Sequence, residues 1–259
     1  MVKFFYIFKI AFKNLLIHKL RAFLTILGVV IGITAIILIV GLGKGAQNLI
    51  LGQLQNIGSK IIIVIPGREI KGLTDFAQSL TDSLKEKDLK LILKKENVPD
   101  LKRAMPIVFG AVKGSYENDF YSFSVFGATP LIKEIYDLKI SEGAFFVEED
   151  VDFKNQVIVL GYKIKKELFN NKNAVGEYIR IKNKNFKVIG VLEENGQNSF
   201  LNMDEAAFVP YTSAQQYLFG IKHFNRIVLE AETEESVKRV VEDVKKVLRE
   251  SHNITDPLK

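Results

Sequence analysis

Five carboxylates, Glu142, Glu148, Glu149, Asp150 and Asp152, form the densest group of potential acids or metal ligands in the chain. Paired carboxylates can pass protons to a substrate or hold a calcium ion. The calcium-loop spacing D-x-[DN]-x-[DN]-G is absent, however, and a charge run of this kind ordinarily forms a solvated face. The three histidines, His18, His223 and His252, are scattered along the sequence. There is no cysteine, which excludes disulfides, thiolate metal sites and cysteine nucleophiles together. No G-x-S-x-G signature is present. Gly41, Gly43 and Gly45 invite a phosphate-loop reading, but no strand precedes them and the G-x-x-x-x-G-K-[ST] spacing is missing. The residues therefore mark no catalytic, cofactor-binding or metal site, and they point away from an enzyme.

The element that organises the chain is the run from Ala22 to Gly43, which has no charged side chain and is bounded by Arg21 and Lys44. At ~1.5 Å per residue a helix of this length spans the ~30 Å hydrocarbon core of a bilayer. A soluble core helix is seldom apolar on every face for so many turns. A cleaved signal peptide would need a shorter apolar core and an A-x-A-like cleavage site, and neither is evident. Residues 22–43 are thus read as an uncleaved membrane span. The sequence after it keeps a helical period through Leu49, Ile50, Leu54 and Ile57, so a helical stalk is expected over 44–58.

Charge distribution sets the orientation. Lys3, Lys9, Lys13, Lys19 and Arg21 precede the span with no Asp or Glu among them. Lys and Arg close to a membrane helix favour the cytoplasmic side, so Lys13, Lys19 and Arg21 set the topology: N-terminus cytoplasmic, main domain extracytoplasmic. Those five charges account for most of the net +6 and leave +1 for the remainder. No basic stripe is left to match a phosphate backbone, and nucleic acid is not an expected partner. Residues 1–21 carry Phe4, Phe5, Phe8, Phe12, Leu15 and Leu16 near helical spacing, an amphipathic segment expected at the inner membrane surface. It is either a lead-in that sets orientation or an element that touches a cytoplasmic partner. Within the span, Thr25, Gly28, Gly32 and Ala35 share one stripe, and Gly28–Gly32 is a G-x-x-x-G pair suited to close packing against another membrane helix.

Beyond the stalk, Ser59–Ile65 has a buried-strand pattern ended by Pro66-Gly67, and 68–83 is polar and irregular. Helices are expected over 85–96 (Leu89, Ile92 and Leu93 inward), 131–136, 163–169, 212–218 and 234–250. The last of these would bury Val237, Val240, Val241, Val244, Val247 and Leu248. Strands are expected over 101–116, 120–127, 156–160, 175–181, 186–192, 207–210 and 225–231, with turns at Glu117-Asn118-Asp119 and Asn183-Lys184. The fold class is α+β. The domain runs over 59–259 in two subdomains, with about 130–220 inserted between the first strands and the closing strand and helix.

These residues carry a resemblance. AFKNLLIHKLRAFLTILGVVIGITAIILIVGLGKGAQ followed by LGQLQNIGSKIIIVIPG resembles the N-terminal region of MacB-type ABC transporter permeases. There, an N-K-L-R-like motif enters the first membrane helix, L-T-x-L-G-x-x-I-G lies within it and G-x-G-A leaves it. Here the matching residues are His18 to Arg21, Leu24 to Gly32 and Gly43 to Ala46. VFGATP, SEGAFF, QVIVLGYKIKKELF and AVGEYIRIKNKNFKVIGVLEENG follow in the order of the MacB-like periplasmic core domain. Ala144 stands where that family carries Arg after Gly.

The resemblance implies a non-catalytic permease subunit of the inner membrane, with no cofactor of its own and with ATP and Mg held by a separate ABC ATPase subunit. It implies a homodimer or paired permease, often with a periplasmic adaptor protein, that relays ATP-driven motion outward for efflux or extraction of a substrate. Ala22–Gly43 would be the lever and Ala46–Ile57 the stalk. Such permeases carry three more membrane helices after this domain, so the chain is expected to be a fragment or half of a split permease. The rival reading is a single-span membrane-anchored sensor or ligand-binding protein; an anchored hydrolase would need a nucleophile or metal set that the sequence does not display.

Overall fold

The computed structural model describes residue 17 and residues 19–55 (46–55 by backbone alone), 59–66, 84–170, 172–195 and 202–252. The amphipathic segment before residue 17, with Lys13, and the irregular stretch 68–83 lie outside these residues, as do His18 and Ile57. Two compact units result, Met1–Leu54 and Gln55–Lys259.

The described residues of the first unit lie in one helix, α1 (Lys19–Gln55), 37 residues long, unbroken through the glycines at 41, 43 and 45 and ending at the boundary with the second unit. Lys19–Gly45 is long and apolar enough to cross a membrane. Its large apolar side chains, from Phe23 to Leu42, are exposed all around the helix, as suits lipid rather than water. Thr25 meets its own hydrogen-bonding need by donating Oγ1 to the carbonyls of Arg21 (2.8 Å) and Ala22 (3.0 Å).

The second unit is α+β. In chain order it contains β1 (Ile61–Val64), α2 (Glu86–Ile92), β2 (Leu101–Tyr116), β3 (Asp119–Ala128), α3 (Leu131–Ile135), β4 (Ile140–Gly143), α4 (Glu148–Asp152), β5 (Val157–Leu160) and α5 (Tyr162–Phe169). It continues with β6 (Tyr178–Ile181), β7 (Lys184–Leu192), β8 (Ala206–Pro210), α6 (Tyr211–Ser213, prolonged by a π-helical turn to Phe219), β9 (Arg226–Ala231) and α7 (Val237–Ser251).

The sixteen-residue strand β2 organises this unit. Its first half pairs antiparallel with β9, which pairs with β1. Its second half pairs with β3, and β3 runs parallel to β8. From β8 the hydrogen bonds pass to β5, from β5 to β7, from β7 to β6, and from β6 back to β2 at Gly114 and Ser115. Six strands therefore close on themselves, which removes the free edges that an open sheet exposes. The segment 130–220, expected as an inserted unit, supplies β4 to β8, and β8 lies between β3 and β5.

Side chains alternate across these strands with period two. On β9, Ile227 and Leu229 join one apolar cluster and Val228 the other. The first cluster holds Val112, Phe123, Ile179, Phe186 and Val188 on the inner side of the ring, α5 through Ile164, Leu168 and Phe169, and α2 and α7 through Ile92, Val240 and Val244. The second lies on the opposite side, where Ile132, Leu138, Phe146 and Val151 cover Met105, Val159 and Phe208.

Most expected elements are present to within a few residues. Three details differ. Leu93 is exposed, because α2 ends at Ile92 and only Leu89 and Ile92 face the core. On α7, Val240, Val244 and Val247 are buried, whereas Val237, Val241 and Leu248 are only half-buried at the flanks of the stripe. The β6–β7 turn is Lys182-Asn183, one residue earlier than expected, and both residues take positive φ (47° and 65°), the conformation of a two-residue hairpin turn.

Candidate functional site

The residues with the clearest chemistry are held in structural roles. Asp150 accepts a hydrogen bond from the Val147 backbone (2.9 Å) and another from Asn155 Nδ2 (2.8 Å), so it caps the start of α4. Glu142 lies on β4 with Lys165 3.8 Å away. Burial and the neighbouring Asp152 push the Glu148 carboxyl up. Among the described residues, no group of three or more His, Asp or Glu side chains is arranged to hold a metal.

His223 pairs through its backbone with Lys85, and its carbonyl accepts from Gln215 Nε2 (3.1 Å). His252 Nε2 sits 3.0 Å from Asp88 Oδ1. Asp88, to which the sequence drew no attention, is fully buried at the start of α2. It accepts from the Lys85 backbone (2.9 Å) and from Ser251 Oγ (2.7 Å), while Lys87 Nζ donates to the Ser251 carbonyl (3.1 Å). The cluster fastens the end of α7 to the start of α2. The only local signal for it is an Asp at the third position of a helix, which ordinarily marks a cap and nothing more.

Basic side chains at the start of β2 form a second cluster. Glu230 on β9 receives Lys102 Nζ (2.8 Å) and Arg103 Nε (2.7 Å), and Arg103 also reaches Glu134. Burial opposes ionisation of Glu230, but the hydrogen bonds and charges of Lys102 and Arg103 prevail and hold it below its ordinary value. Tyr211, at the start of α6, is pushed up to about 12 by burial, with Glu86, Asp152 and Glu148 adding to the shift.

The motifs behind the family resemblance prove to be packing constraints. In SEGAFF, Gly143 has φ +75°, and a Cβ there would run into the Ile189 carbonyl on β7. Gly190 faces the Ala144 carbonyl just as closely, and Ala144 N donates to Ile189 O (2.9 Å). Only glycines let β4 lie this near β7. Gly161, which opens α5, is hemmed in by the carbonyls of Met203, Asp204 and Ala206 and donates to Ala206 (2.9 Å).

The membrane-helix residues are exposed on α1. Lys19 and Arg21 stand at its start, and a Cβ added at Gly28 or Gly32 would meet nothing within 4 Å. Thr25, Gly28, Gly32 and Ala35 fall within about 80° of one another around the axis at 3.6 residues per turn. The stripe is thus open to a second helix.

The comparisons agree with this architecture. Residues 22–247 match the family model of the MacB-like periplasmic core domain. The pyoverdine export ATP-binding/permease protein PvdT of Pseudomonas aeruginosa is 29% identical over 93% of this chain and 35% of its own length. The macrolide export ATP-binding/permease protein MacB of Wolinella succinogenes is 30% identical over 85% of this chain and 33% of its own. The chain thus spans about a third of the length of these curated relatives. Among solved structures, the periplasmic region of MacB from Actinobacillus actinomycetemcomitans superposes with a TM-score of 0.67 at 21% identity, covering 79% of this chain and 89% of that one. The extracellular domain of YknZ from Gram-positive bacteria gives 0.62 at 17% identity, covering 74% and 95%. A membrane-length apolar helix leading into this fold, matched along nearly its whole length by one family model, places the chain in the MacB-type ABC transporter permease family.

Proposed function

We propose that this chain serves as the lever and extracytoplasmic domain of a MacB-type ABC exporter, relaying ATP-driven motion to a substrate outside the membrane. ATP and Mg are bound and hydrolysed by a separate ATPase subunit on the cytoplasmic face of the inner membrane, where the N-terminus lies. Two permeases pair, as a homodimer or a matched pair, and Thr25, Gly28, Gly32 and Ala35 form the packing stripe between their helices. A periplasmic adaptor joins in envelopes that require one. The relatives' export of pyoverdine or macrolides suggests the class of work rather than the cargo.

The observation that carries this reading is the unbroken helix from Lys19 to Gln55. It extends twelve residues beyond the charge-free run, which ends at Gly43. A helix transmits displacement along its axis because every interior backbone group is bonded to the turns beside it. A lever needs that continuity; an anchor does not.

The test is to break it. Proline in a helix interior removes a hydrogen bond and costs about 3 kcal/mol. In the assembled transporter, Asn48→Pro should leave ATP hydrolysis near the parent rate and reduce export at least about tenfold, whereas Asn48→Ala should leave both unchanged. Export unaffected by Asn48→Pro would show that α1 only anchors the domain.

A further inference from the structure

One wall of the six-stranded ring is not covered by either apolar cluster. Where β3, β2, β6 and β7 lie side by side, the register fixes which residues point away from the core. Ser115 is paired with Phe120 on one side and Arg180 on the other, and Arg180 with Asn185. The next rank brings Lys113 beside Ser122, and Tyr178 beside Lys187. Their neighbours of opposite parity, Val112, Phe123, Ile179 and Phe186, are buried in the first cluster. Apart from the half-buried Ser115 the outward set is exposed, and it includes two large aromatics, Phe120 (63%) and Tyr178 (56%).

The charge on this wall has one sign. Lys113, Arg180 and Lys187 belong to it, and among the described residues no carboxylate pairs with any of them. Lys113 lies over the Phe120 ring at 4.9 Å, and Arg180 donates only to the Asn183 side chain (3.0 Å). Three exposed acids border the wall and are engaged beside it, at Lys172 and Tyr116: Glu117 pairs with Lys172 (2.8 Å), the charge of Asp119 acts on the same Lys172, and Glu177 acts on Tyr116. The wall is therefore a basic surface with two aromatic anchors and neutral Ser and Asn between them.

From this arrangement we infer that the wall is a docking surface for an extended acidic segment of a partner protein, one carrying apolar side chains among its carboxylates. Carboxylates would meet Lys113, Arg180 and Lys187, and an apolar side chain would sit against Phe120 and Tyr178. Aromatic residues and Arg are the side chains enriched in protein interfaces. Four strands at ~4.8 Å spacing give a face about 15 Å across, the footprint of a short segment rather than of a whole domain at about 800 Å². Recognition of anionic lipid ordinarily gathers about four to eight Lys and Arg, more than this wall holds. The strands close on themselves here, so the segment binds through side chains and adds no strand to an edge.

The experiment uses the full chain in phosphatidylcholine nanodiscs and a fluorescein-labelled 12-residue peptide of Glu, Asp and Leu, with its Lys/Leu counterpart as control. Anisotropy should show saturable binding of the acidic peptide, weakened by salt and at least about tenfold tighter than the control. K113Q/R180Q/K187Q and F120A/Y178A should each weaken it about tenfold while circular dichroism and the melting curve stay at parent values. Hydrogen exchange should slow in 113–122 and 178–187 when peptide is added. Equal binding of both peptides, or binding unchanged in the charge variant, overturns the inference. So does slowing of the same segments by phosphatidylglycerol in the nanodisc without peptide, which would assign the wall to lipid.

Discussion

Asp88 carries the one fully buried carboxylate among the described residues, and its partners come from both ends of the domain sequence. A buried polar group costs stability unless it is hydrogen-bonded. Asp88→Ala should therefore lower the stability of the domain by roughly 2–3 kcal/mol, read as a lower melting temperature, and speed hydrogen exchange at 248–252. An unchanged melting curve would contradict the fastening role. Glu230 makes a prediction about pH. Its folded-state value lies below the ordinary 4.5, so its contribution is present above about pH 4.5 and is lost as pH falls through the lowered value. Glu230→Gln should flatten the acid limb of the stability curve; a limb as steep as the parent's would rule Glu230 out as its source. Neither residue could be read from the sequence as important. Ser251 lies 163 positions from Asp88, and burial of the carboxylate is decided by that distant contact rather than by its neighbours. The acid group at 142–152 shows the converse, since proximity in sequence gathered charges that the fold assigns to a cap and a cross-element pair.

Elements were far more legible than their pairings. Alternating apolar residues located β2, β3, β7 and β9, and the charge-free run located α1, because those patterns are local consequences of strand and helix geometry. Closure of the six strands rests on bonds between segments far apart, such as Ser115 with Arg180, and nothing local announces it. Glycine motifs were visible as motifs, yet their cause lies in a neighbouring strand. Gly143→Val combines a positive φ with a clash against the Ile189 carbonyl, and should cost about 2–4 kcal/mol in a chemical denaturation midpoint; a cost near zero would mean that β4 can move away from β7 freely. On α1, Gly28→Leu with Gly32→Leu should reduce permease pairing in the membrane, measured by a helix-association reporter or by co-purification of differently tagged copies. Undiminished pairing would place the contact elsewhere on the helix.

At the scale of the molecule, the task proposed for this chain is mechanical. The fold suits that task. A ring without free edges, backed by two apolar clusters that include the fully buried Phe146, Phe169, Phe186, Phe208 and Phe224, can be displaced as one body without unravelling. The relay itself is the central claim, and a cysteine placed among these 259 residues, which contain none, gives a site to measure it in a transporter with any other cysteines replaced. Phe153 is 75% exposed on the domain, and Phe153→Cys carries a single spin label. In the assembled transporter with paired copies, the distance between the two labels should change by about 5 Å or more between the nucleotide-free and ATP-bound states, and Asn48→Pro should abolish the change while the ATPase still turns over. An identical distance distribution in both states would contradict a relay through α1.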